Sequence, residues 1–206
     1  MLKYNGSEEI WRDNMKIISL TGASSSGKDS ILQAVLRINK NISPIISTTS
    51  RPMRKGEING VQYDFVTSKV FELMDKNNMF IEHRDYKVQN GDIWRYGIGK
   101  DSVERDNKDK IVIVDFKGLK QLEKYCKEHN VELISFYIDA SMWNCSMRAL
   151  KRESSLNDKD TMELHRRLLD DYYNVLPAKD YCNHIVKNNT QQDFIETVLK
   201  ISEVIN

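Results

Sequence analysis

The sequence is poor in cysteine and proline, and it has no excess of charge of either sign. Its 206 residues include three cysteines and three prolines. The cysteines (Cys126, Cys145 and Cys182) are widely spaced and form no C-x-x-C pair, so we predict neither disulfides nor a zinc site, and we expect a reducing, cytoplasmic environment. A net charge of +1 produces no long-range field, which argues against binding to nucleic acid or to a membrane surface.

Long apolar runs are also missing. None approaches the roughly 20 residues that cross a bilayer, and residues 1–14 are polar and lack the apolar core of a signal peptide. We therefore expect an N-terminal extension at 1–14 and one compact domain at 15–206, because a chain of this length buries a sizeable core. The composition leaves open whether the protein is a monomer or a homodimer.

The most informative segment is a short apolar run followed by a loop rich in glycine and serine. The run Ile17–Leu20 predicts a strand, and apolar residues at helical spacing after the loop predict a helix. The loop reads G-x-x-x-x-G-K, a pattern that wraps phosphates with backbone N–H groups beside the positive end of a helix dipole. The residues predicted to bind phosphate are Gly22, Ala23, Ser24, Ser25, Ser26, Gly27, Lys28, Asp29 and Ser30.

Asp29 stands where such loops usually have a hydroxyl that faces the metal ion. One interpretation is that Asp29 is an acid of the first helical turn, stabilised by the helix dipole by about 0.3–1 kcal/mol. The other is that its carboxylate helps to hold Mg²⁺ or the water molecules around it. We favour the first interpretation, with Ser30 available as the hydroxyl, and keep Asp29 and Ser30 as the candidate metal ligands.

The rest of the chain alternates between strand and helix patterns. Ile111–Val114 and 131–138 are nearly continuous apolar runs, typical of strands buried on both faces of a sheet. Helical patterns follow each run, and a last strand and helix are expected from His184 onwards. This order predicts an α/β fold, with a P-loop NTPase-type parallel sheet flanked by helices.

Shorter patterns predict the remaining elements. We expect strands at Ile45–Ile46, at 60–66 and at 79–82, the last with Glu82 at its end, and a helix capped by Ser68. Between Met147 and Asp171, two basic helices flank the hydrophilic turn 154–160. This arrangement is typical of a lid, although a solvated helical hairpin has the same pattern.

Hydroxyl and basic side chains crowd the segment from Ser47 to Glu57. Arginine forks bind phosphate through two parallel hydrogen bonds, so the composition suits an oxyanion. A solvated basic loop has the same composition, and the composition does not separate the two interpretations.

The chain resembles guanylate kinases from the phosphate loop to its C-terminus. The most specific similarity is the segment Ser47–Glu57, followed by Asn59-Gly60 and Tyr63, which is similar to the family's GMP-binding stretch S-x-T-T-R-x-x-R-x-G-E-x-x-G-x-x-Y. The resemblance implies a small β-rich GMP-binding subdomain at 45–99 and a helical lid at 148–171. It also implies a core composed of 15–44, 100–147 and 172–206.

The resemblance further implies a role for individual residues, with ATP as the phosphoryl donor, Mg²⁺ as the cofactor and GMP or dGMP as the acceptor. It implies that the phosphate loop binds ATP and that Asn188 lies near the adenine. The implied GMP-binding residues are Ser47, Arg51, Arg54, Glu57, Tyr63, Glu82, Tyr96 and Asp115, of which Glu82 and Asp115 would meet the guanine edge. The implied catalytic residues are Lys28 and Arg51 together with the lid arginines Arg148, Arg152 and Arg167.

Four positions depart from the family pattern. They are Asp29, Ser50 in place of a threonine, Ile98 in place of a hydroxyl that contacts the base, and Ile113 in place of an acid associated with the metal site. Guanine still remains the favoured base, because a carboxylate accepts from both its N1–H and its 2-amino group, which supports discrimination of about 10⁴–10⁵. The hydroxyl missing at Ile98 contributes only about 0.5–1.5 kcal/mol.

Two other functions stay open on the sequence. One is a related nucleoside monophosphate kinase with an altered base preference, which the changes at Ile98 and Ile113 motivate. The other is a non-catalytic module that uses a guanylate-kinase-like surface to bind a protein partner. An intact Gly22, Gly27 and Lys28 argue against the second, because a scaffold does not need a phosphate loop.

Overall fold

A computed structural model describes residues 15–54, 56–88, 91–152 and 158–205. The predicted N-terminal extension at 1–14 lies outside the described residues, as does the part of the predicted lid turn at 153–157. Lys55 of the basic loop lies outside them as well.

The described chain alternates strands and helices through most of its length. The strands are β1 (Lys16–Thr21), β2 (Ile42–Pro44), β3 (Thr48–Thr49), β4 (Asp64–Phe65), β5 (Phe80–Lys87), β6 (Ile93–Gly99), β7 (Asp109–Ile113), β8 (Glu132–Asp139) and β9 (His184–Lys187). The helices are α1 (Lys28–Ile38), α2 (Ser68–Lys76), α3 (Lys100–Glu104), α4 (Phe116–Glu128), α5 (Met142–Arg152), α6 (Asp158–Asn174) and α7 (Gln191–Ile205), with a 3₁₀ turn at Leu176–Ala178.

The main sheet has five strands in the order β2-β7-β1-β8-β9, and all of its pairings are parallel. The central strand β1 is flanked by β7 and β8, and Ile17, Ile18 and Leu20 are completely buried. One apolar cluster joins Ile17 to α4, and a second joins Ile18 and Leu20 to α1 and α7. The predicted parallel sheet flanked by helices is confirmed, and it places the carboxyl ends of β1 and β7 at the same edge.

A second sheet of four strands has the order β4-β3-β6-β5. Strands β5 and β6 form an antiparallel hairpin, and β6 also pairs antiparallel with β3. Helix α2 packs on this sheet, with the rings of Phe71 and Phe80 stacked at a centroid distance of 4.4 Å. The second sheet occupies the region for which the resemblance implies a β-rich subdomain.

The structure corrects four sequence expectations about these elements. Strand β5 does not end at Glu82 but continues to Lys87, where it pairs with β6, a strand that the sequence did not predict. The expected strand at 60–66 shrinks to β4, and the one at Ile45–Ile46 lies earlier, as β2. The cap of α2 is Thr67, whose side chain accepts a hydrogen bond from the Val70 amide, and not Ser68.

Helices α5 and α6 form the region of the predicted lid. Leu164 and Leu168 of α6 pack against Cys145 and Ala149 of α5. The predicted lid limits, 148 and 171, fall inside these two helices, which begin earlier and end later. In the part of the chain that the structure describes, no helix is long and apolar enough to cross a membrane.

Candidate active site

The phosphate loop connects β1 to α1 and encloses the start of the helix. Lys28 folds back over the loop, and its Nζ donates hydrogen bonds to the carbonyl oxygens of Gly22 (2.7 Å) and Ala23 (2.8 Å). The N-cap residue of α1 is Gly27, with a φ of 99° and no side chain to cap the first-turn amides. These amides are the groups that bind an anion at a helix N-terminus. The loop therefore offers the donors expected of a phosphate site.

A buried hydroxyl adds to these donors. Ser26 is fully buried, and its Oγ has no hydrogen-bond partner among the described residues. A buried hydroxyl without a partner carries a desolvation cost of about 1–3 kcal/mol, which a bound phosphate oxygen would relieve.

Asn188, predicted near the adenine, and Arg148, a predicted lid arginine, both contact the phosphate loop at Ser26. The Nδ2 of Asn188 donates to the Ser26 carbonyl (2.7 Å), and Arg148 donates to the carbonyls of both Ser26 (3.2 Å) and Asn188 (2.7 Å). Arg152 donates to Ser25 Oγ at 2.5 Å. The arginines Arg148 and Arg152 of α5 therefore contact the phosphate loop, and the side-chain amide of Asn188 stabilises the loop through the Ser26 carbonyl. The side chain of Arg167 lies outside the described residues.

The centre of the acceptor region is a buried ion pair. Arg51 is 4% exposed, and its Nη1 and Nη2 donate to the two carboxylate oxygens of Glu57 at 2.8 and 2.7 Å. Glu57 also accepts a hydrogen bond from the Arg54 backbone amide (2.6 Å). The hydrogen bond from Arg51 is the largest cause that lowers the pKa of Glu57, to about 2. Glu57 is therefore fully ionised at neutral pH and fixes the arginine in place.

The ion pair leaves one edge of the Arg51 guanidinium available. The hydrogen bonds of Arg51 to described residues use the Nη1–Nη2 edge toward Glu57 and the other Nη1–H toward the Pro52 carbonyl. The remaining donors are Nε–H and the second Nη2–H, which lie side by side and suit a phosphate. The rings of Tyr63 and Phe65 lie 5.3 and 5.2 Å from the Arg51 Cζ and cover the cation.

Three tyrosines form a row of contacts from Arg51 to Asp115, one of the carboxylates predicted to meet guanine. Tyr96 contacts both Tyr63 and Tyr86 edge-on, with centroid distances of 5.7 and 5.5 Å. Burial raises the pKa of Tyr63, and the charge of Asp29 in the first turn of α1 raises it further.

Glu82 and Asp115, the two carboxylates predicted to meet guanine, are brought together, but with a cation between them. Arg84 Nη1 lies 2.7 Å from Asp115 Oδ1, and its Nε lies 3.3 Å from Glu82 Oε2. Asp115 also accepts hydrogen bonds from Tyr86 Oη and, as the N-cap of α4, from the Gly118 amide. Asp115 therefore joins the second sheet to the main sheet.

Burial and neighbouring charges shift the pKa values of Glu82, Asp115 and Arg84 in opposite directions. Burial raises the pKa of Glu82, and Arg84 lowers it only in part. Burial also acts to raise the pKa of Asp115, but Arg84 and the hydrogen bonds to Asp115 outweigh it and lower that pKa overall. For Arg84, burial alone lowers the pKa, and the two carboxylates raise it well above its ordinary value. Arg84 is therefore a permanent cation at this position.

Arg84 and Tyr86 are not among the site residues that the sequence predicts. Glu82, Arg84 and Tyr86 alternate along β5, so their side chains point to the same face of the second sheet. That alternation is visible in the sequence, but the sequence pattern predicts a strand that ends at Glu82. Of the other predicted acceptor residues, Ser47 is buried beside β3, and Arg54 is exposed.

The described residues offer few ligands for a metal ion. No group of three or more histidine, cysteine, aspartate or glutamate side chains among them lies close enough to hold one. Asp29 and Ser30 are both exposed in the first turn of α1. Mg²⁺ is usually held by one or two protein oxygens, with phosphates and water completing its shell, so these two residues fit such an ion.

Comparison with known proteins agrees with this arrangement. A family model described as guanylate kinase matches residues 14–204. The chain is 30% identical to a guanylate kinase of Rickettsia typhi, over 92% of this chain and 89% of that protein, and 28% identical to one of Clostridium perfringens, over 92% and 84%. A crystal structure of guanylate kinase from Anaplasma phagocytophilum shares the fold, with a TM-score of 0.63, 22% identity and coverage of 93% and 84%. The chain belongs to the guanylate kinase family.

Proposed function

We propose that this protein transfers the γ-phosphoryl group of ATP to GMP or dGMP. An oxygen of the acceptor's phosphate forms a bond to the γ-phosphorus, the bond from that phosphorus to the β–γ bridging oxygen breaks, and ADP and the nucleoside diphosphate leave. The reaction needs no covalent enzyme intermediate, because positioning and charge neutralisation supply the catalysis.

The observation that carries this proposal is a pair of prepared phosphate sites. One is the phosphate loop, with Lys28 and the uncapped first turn of α1, and the other is the free edge of the Arg51 guanidinium beside Tyr63. A donor phosphate bound in the loop and an acceptor phosphate bound at Arg51 would supply the two partners of the transfer.

The roles of individual residues follow from this placement. Lys28 would exchange its bonds to the loop carbonyls for the outer phosphates of ATP, and Arg148 and Arg152 would do the same from α5. Arg51 and Arg54 would hold the acceptor's phosphate in line. Glu82 would accept hydrogen bonds from the guanine edge.

Mg²⁺ is part of the proposal, with Asp29 or Ser30 as its protein contacts. Held by these residues, it would supply positive charge that neutralises the transferred group. The protein would be active in the cytoplasm, as a monomer or a homodimer.

The proposal is tested by measuring ADP formation from ATP and Mg²⁺ with GMP, dGMP, IMP, AMP, CMP and UMP. We expect turnover with GMP or dGMP and about 10⁴-fold less with AMP. Lys28→Ala should lower turnover about 10²–10³-fold, whereas Lys69→Ala, on an exposed face of α2, should have no effect. Absence of turnover with every acceptor would contradict the proposal, and equal turnover by the Lys28 variant would exclude the loop from catalysis.

A further inference from the structure

Arg84 lies between the two carboxylates predicted to meet guanine. Three parts of the structure surround it, namely these carboxylates, the neighbouring strand β6 and the start of α4. Its side chain is 11% exposed and contacts Glu82, which is fully buried, and Asp115. Across the hairpin it pairs with Tyr96, while Glu82 pairs with Ile98. The third wall is the start of α4, where a Cβ on Gly118 would lie 2.6 Å from Arg84 Nη1 and 3.0 Å from Glu82 Oε2.

The hydrogen-bonding capacity of this pair is largely unused. Arg84 Nη1 is bonded to Asp115, but neither Arg84 Nε nor either carboxylate oxygen of Glu82 has a hydrogen-bond partner among the described residues. Nε and Oε2 are 3.3 Å apart, close enough for charge attraction, yet the N–H does not point at the oxygen. Buried polar groups are rarely left in this state, which indicates a ligand with a matching pair of groups.

The unused groups have a definite order, namely one donor on Arg84 beside two acceptors on Glu82. The Watson–Crick edge of guanine has the complementary order: an acceptor at O6, then donors at N1–H and the 2-amino group. Adenine reverses the first two, with a donor at the 6-amino group and an acceptor at N1. The residue opposite Glu82 is Ile98, which is fully buried in the apolar core and has no donor to offer.

We propose that Arg84 is a base-reading residue, which donates a hydrogen bond from its Nε to the 6-oxygen of the purine while Glu82 accepts from N1–H and the 2-amino group. This inference rests on the proposed function, because it assumes that the acceptor's base enters this pocket. In that position Arg84 replaces the hydroxyl that is missing at Ile98. Its bond to Asp115 holds the guanidinium in place during recognition.

Three acceptor nucleotides distinguish the individual hydrogen bonds that the base would make. GMP makes all of them, IMP lacks the 2-amino group, and 6-thio-GMP keeps both donors but has sulfur, a weak acceptor, in place of O6. The experiment measures kcat/KM for each of the three at saturating ATP. The variants are Arg84→Met and Arg95→Met, the latter a matched control on the same hairpin whose ion pairs are with Glu72 and Asp85.

The wild-type protein should prefer GMP over 6-thio-GMP about tenfold or more, the size of one hydrogen bond to a charged group. Arg84→Met should lower kcat/KM for GMP by a similar factor and bring the GMP to 6-thio-GMP ratio toward one. The GMP to IMP ratio, which reports the 2-amino contact of Glu82, should stay unchanged. Arg95→Met should leave all three values as they are.

Two outcomes would overturn the inference. Arg84→Met could lower kcat/KM for all three acceptors in equal proportion, in which case Arg84 is only a counter-charge that supports the pocket. Alternatively, the wild-type protein could use GMP and 6-thio-GMP equally well, which shows without any variant that no donor meets the 6-position. If the wild-type protein phosphorylates none of the three, the proposed function itself fails, and this result is distinct from both.

Discussion

At the scale of single residues, Arg51 is a cation that the protein has oriented in advance. Glu57 holds one edge of its guanidinium and leaves the other edge free. Because the side chain is already ordered and covered by Tyr63 and Phe65, binding a phosphate costs little further side-chain entropy. Lysine would not reproduce this arrangement, since it lacks a fork with two edges.

Replacing Arg51 should therefore affect the acceptor and not the donor. We expect Arg51→Ala to raise KM for GMP about tenfold or more, because a hydrogen bond to a charged group contributes about 1.5–3 kcal/mol, and to leave KM for ATP within about twofold. Steady-state kinetics with each substrate varied in turn measures both values. Arg37→Ala, in the last turn of α1, is the control. A raised KM for ATP with an unchanged KM for GMP would mean that the two subsites are assigned in reverse.

Asp29 is the other residue whose role a single variant can decide. We expect Asp29→Ser to change neither KM for ATP nor the Mg²⁺ requirement, because the carboxylate is exposed in the first turn of α1 and interacts there with the helix dipole. A Mg²⁺ titration of turnover provides the measurement. Asp101→Ser, in the first turn of α3, controls for the dipole effect.

The alternatives for Asp29 have distinct signatures in the same experiment. A Mg²⁺ requirement raised about tenfold would place its carboxylate in the metal site. Tighter ATP binding by the variant would instead show that Asp29 repels the phosphates. Either result would contradict the expectation of little change.

At the scale of elements, the phosphate loop is shaped by its contact with Asn188, the residue that follows β9, as well as by its own glycines. A Cβ on Gly27 would lie 2.2 Å from Asn188 Nδ2, the group that supports the loop through Ser26. Gly91 has a similar backbone conformation, with a φ of +88° against +99°, but a Cβ there would meet nothing within 4 Å. The two positions therefore differ in contact and not in backbone strain.

Replacing each of these two glycines with alanine should separate the cost of a left-handed backbone from the cost of displacing Asn188. Gly91→Ala should lower the free energy of unfolding by about 1–2 kcal/mol, the cost of a left-handed alanine. Gly27→Ala should lower it by more, because Asn188 must also shift and lose its hydrogen bond to Ser26, about 1 kcal/mol. Urea unfolding of both variants gives the comparison. Equal losses would mean that the loop adapts to the extra atom.

The same scale shows which elements the sequence could predict. The buried strands β1, β7 and β8 and the phosphate loop were recognisable, because continuous apolar runs and glycine spacing are local properties. The sequence predicts too short a β5 because His83, Asp85 and Lys87 are exposed and polar, so the run has no apolar alternation. Its length is set by pairing with β6, which is a contact between segments and leaves no local signal.

The same distinction between local patterns and contacts distant in sequence applies to the site. The residues implied by the family motif could be named from the sequence, and the structure places Arg51, Glu57 and Tyr63 together. The position of Arg84 between two carboxylates could not be predicted, because Asp115 reaches it only through the packing of α4 against β5. The contacts of Asn188 and Arg148 with Ser26 are likewise distant in sequence.

At the scale of the whole molecule, Asp115 connects the two sheets. It belongs to α4 as the N-cap and to the second sheet through Arg84 and Tyr86. Asparagine caps a helix about as well as aspartate does, so Asp115→Asn removes the charge and keeps the cap. Asp115→Ala removes both.

These two variants should measure how strongly the second sheet is held. We expect Asp115→Asn to lower the free energy of unfolding by about 1.5–3 kcal/mol, the value of a hydrogen bond between charged groups, and Asp115→Ala to lower it by about 0.5–2 kcal/mol more. Urea unfolding measures both. An Asp115→Asn variant as stable as the wild type would show that desolvation of the ion pair offsets its attraction.

The depth at which the charges lie also separates the two ends of the acceptor in their response to salt. Glu82 and Arg84 are buried, whereas the side chain of Arg54 is exposed to solvent. Dissolved ions screen charges over about 8 Å at physiological ionic strength and about 3 Å at 1 M, and they act far less on buried pairs. In the proposed complex, concentrated salt should therefore weaken the contribution of Arg54 to phosphate binding, while the contribution of the buried Arg51 and the choice among bases stay the same.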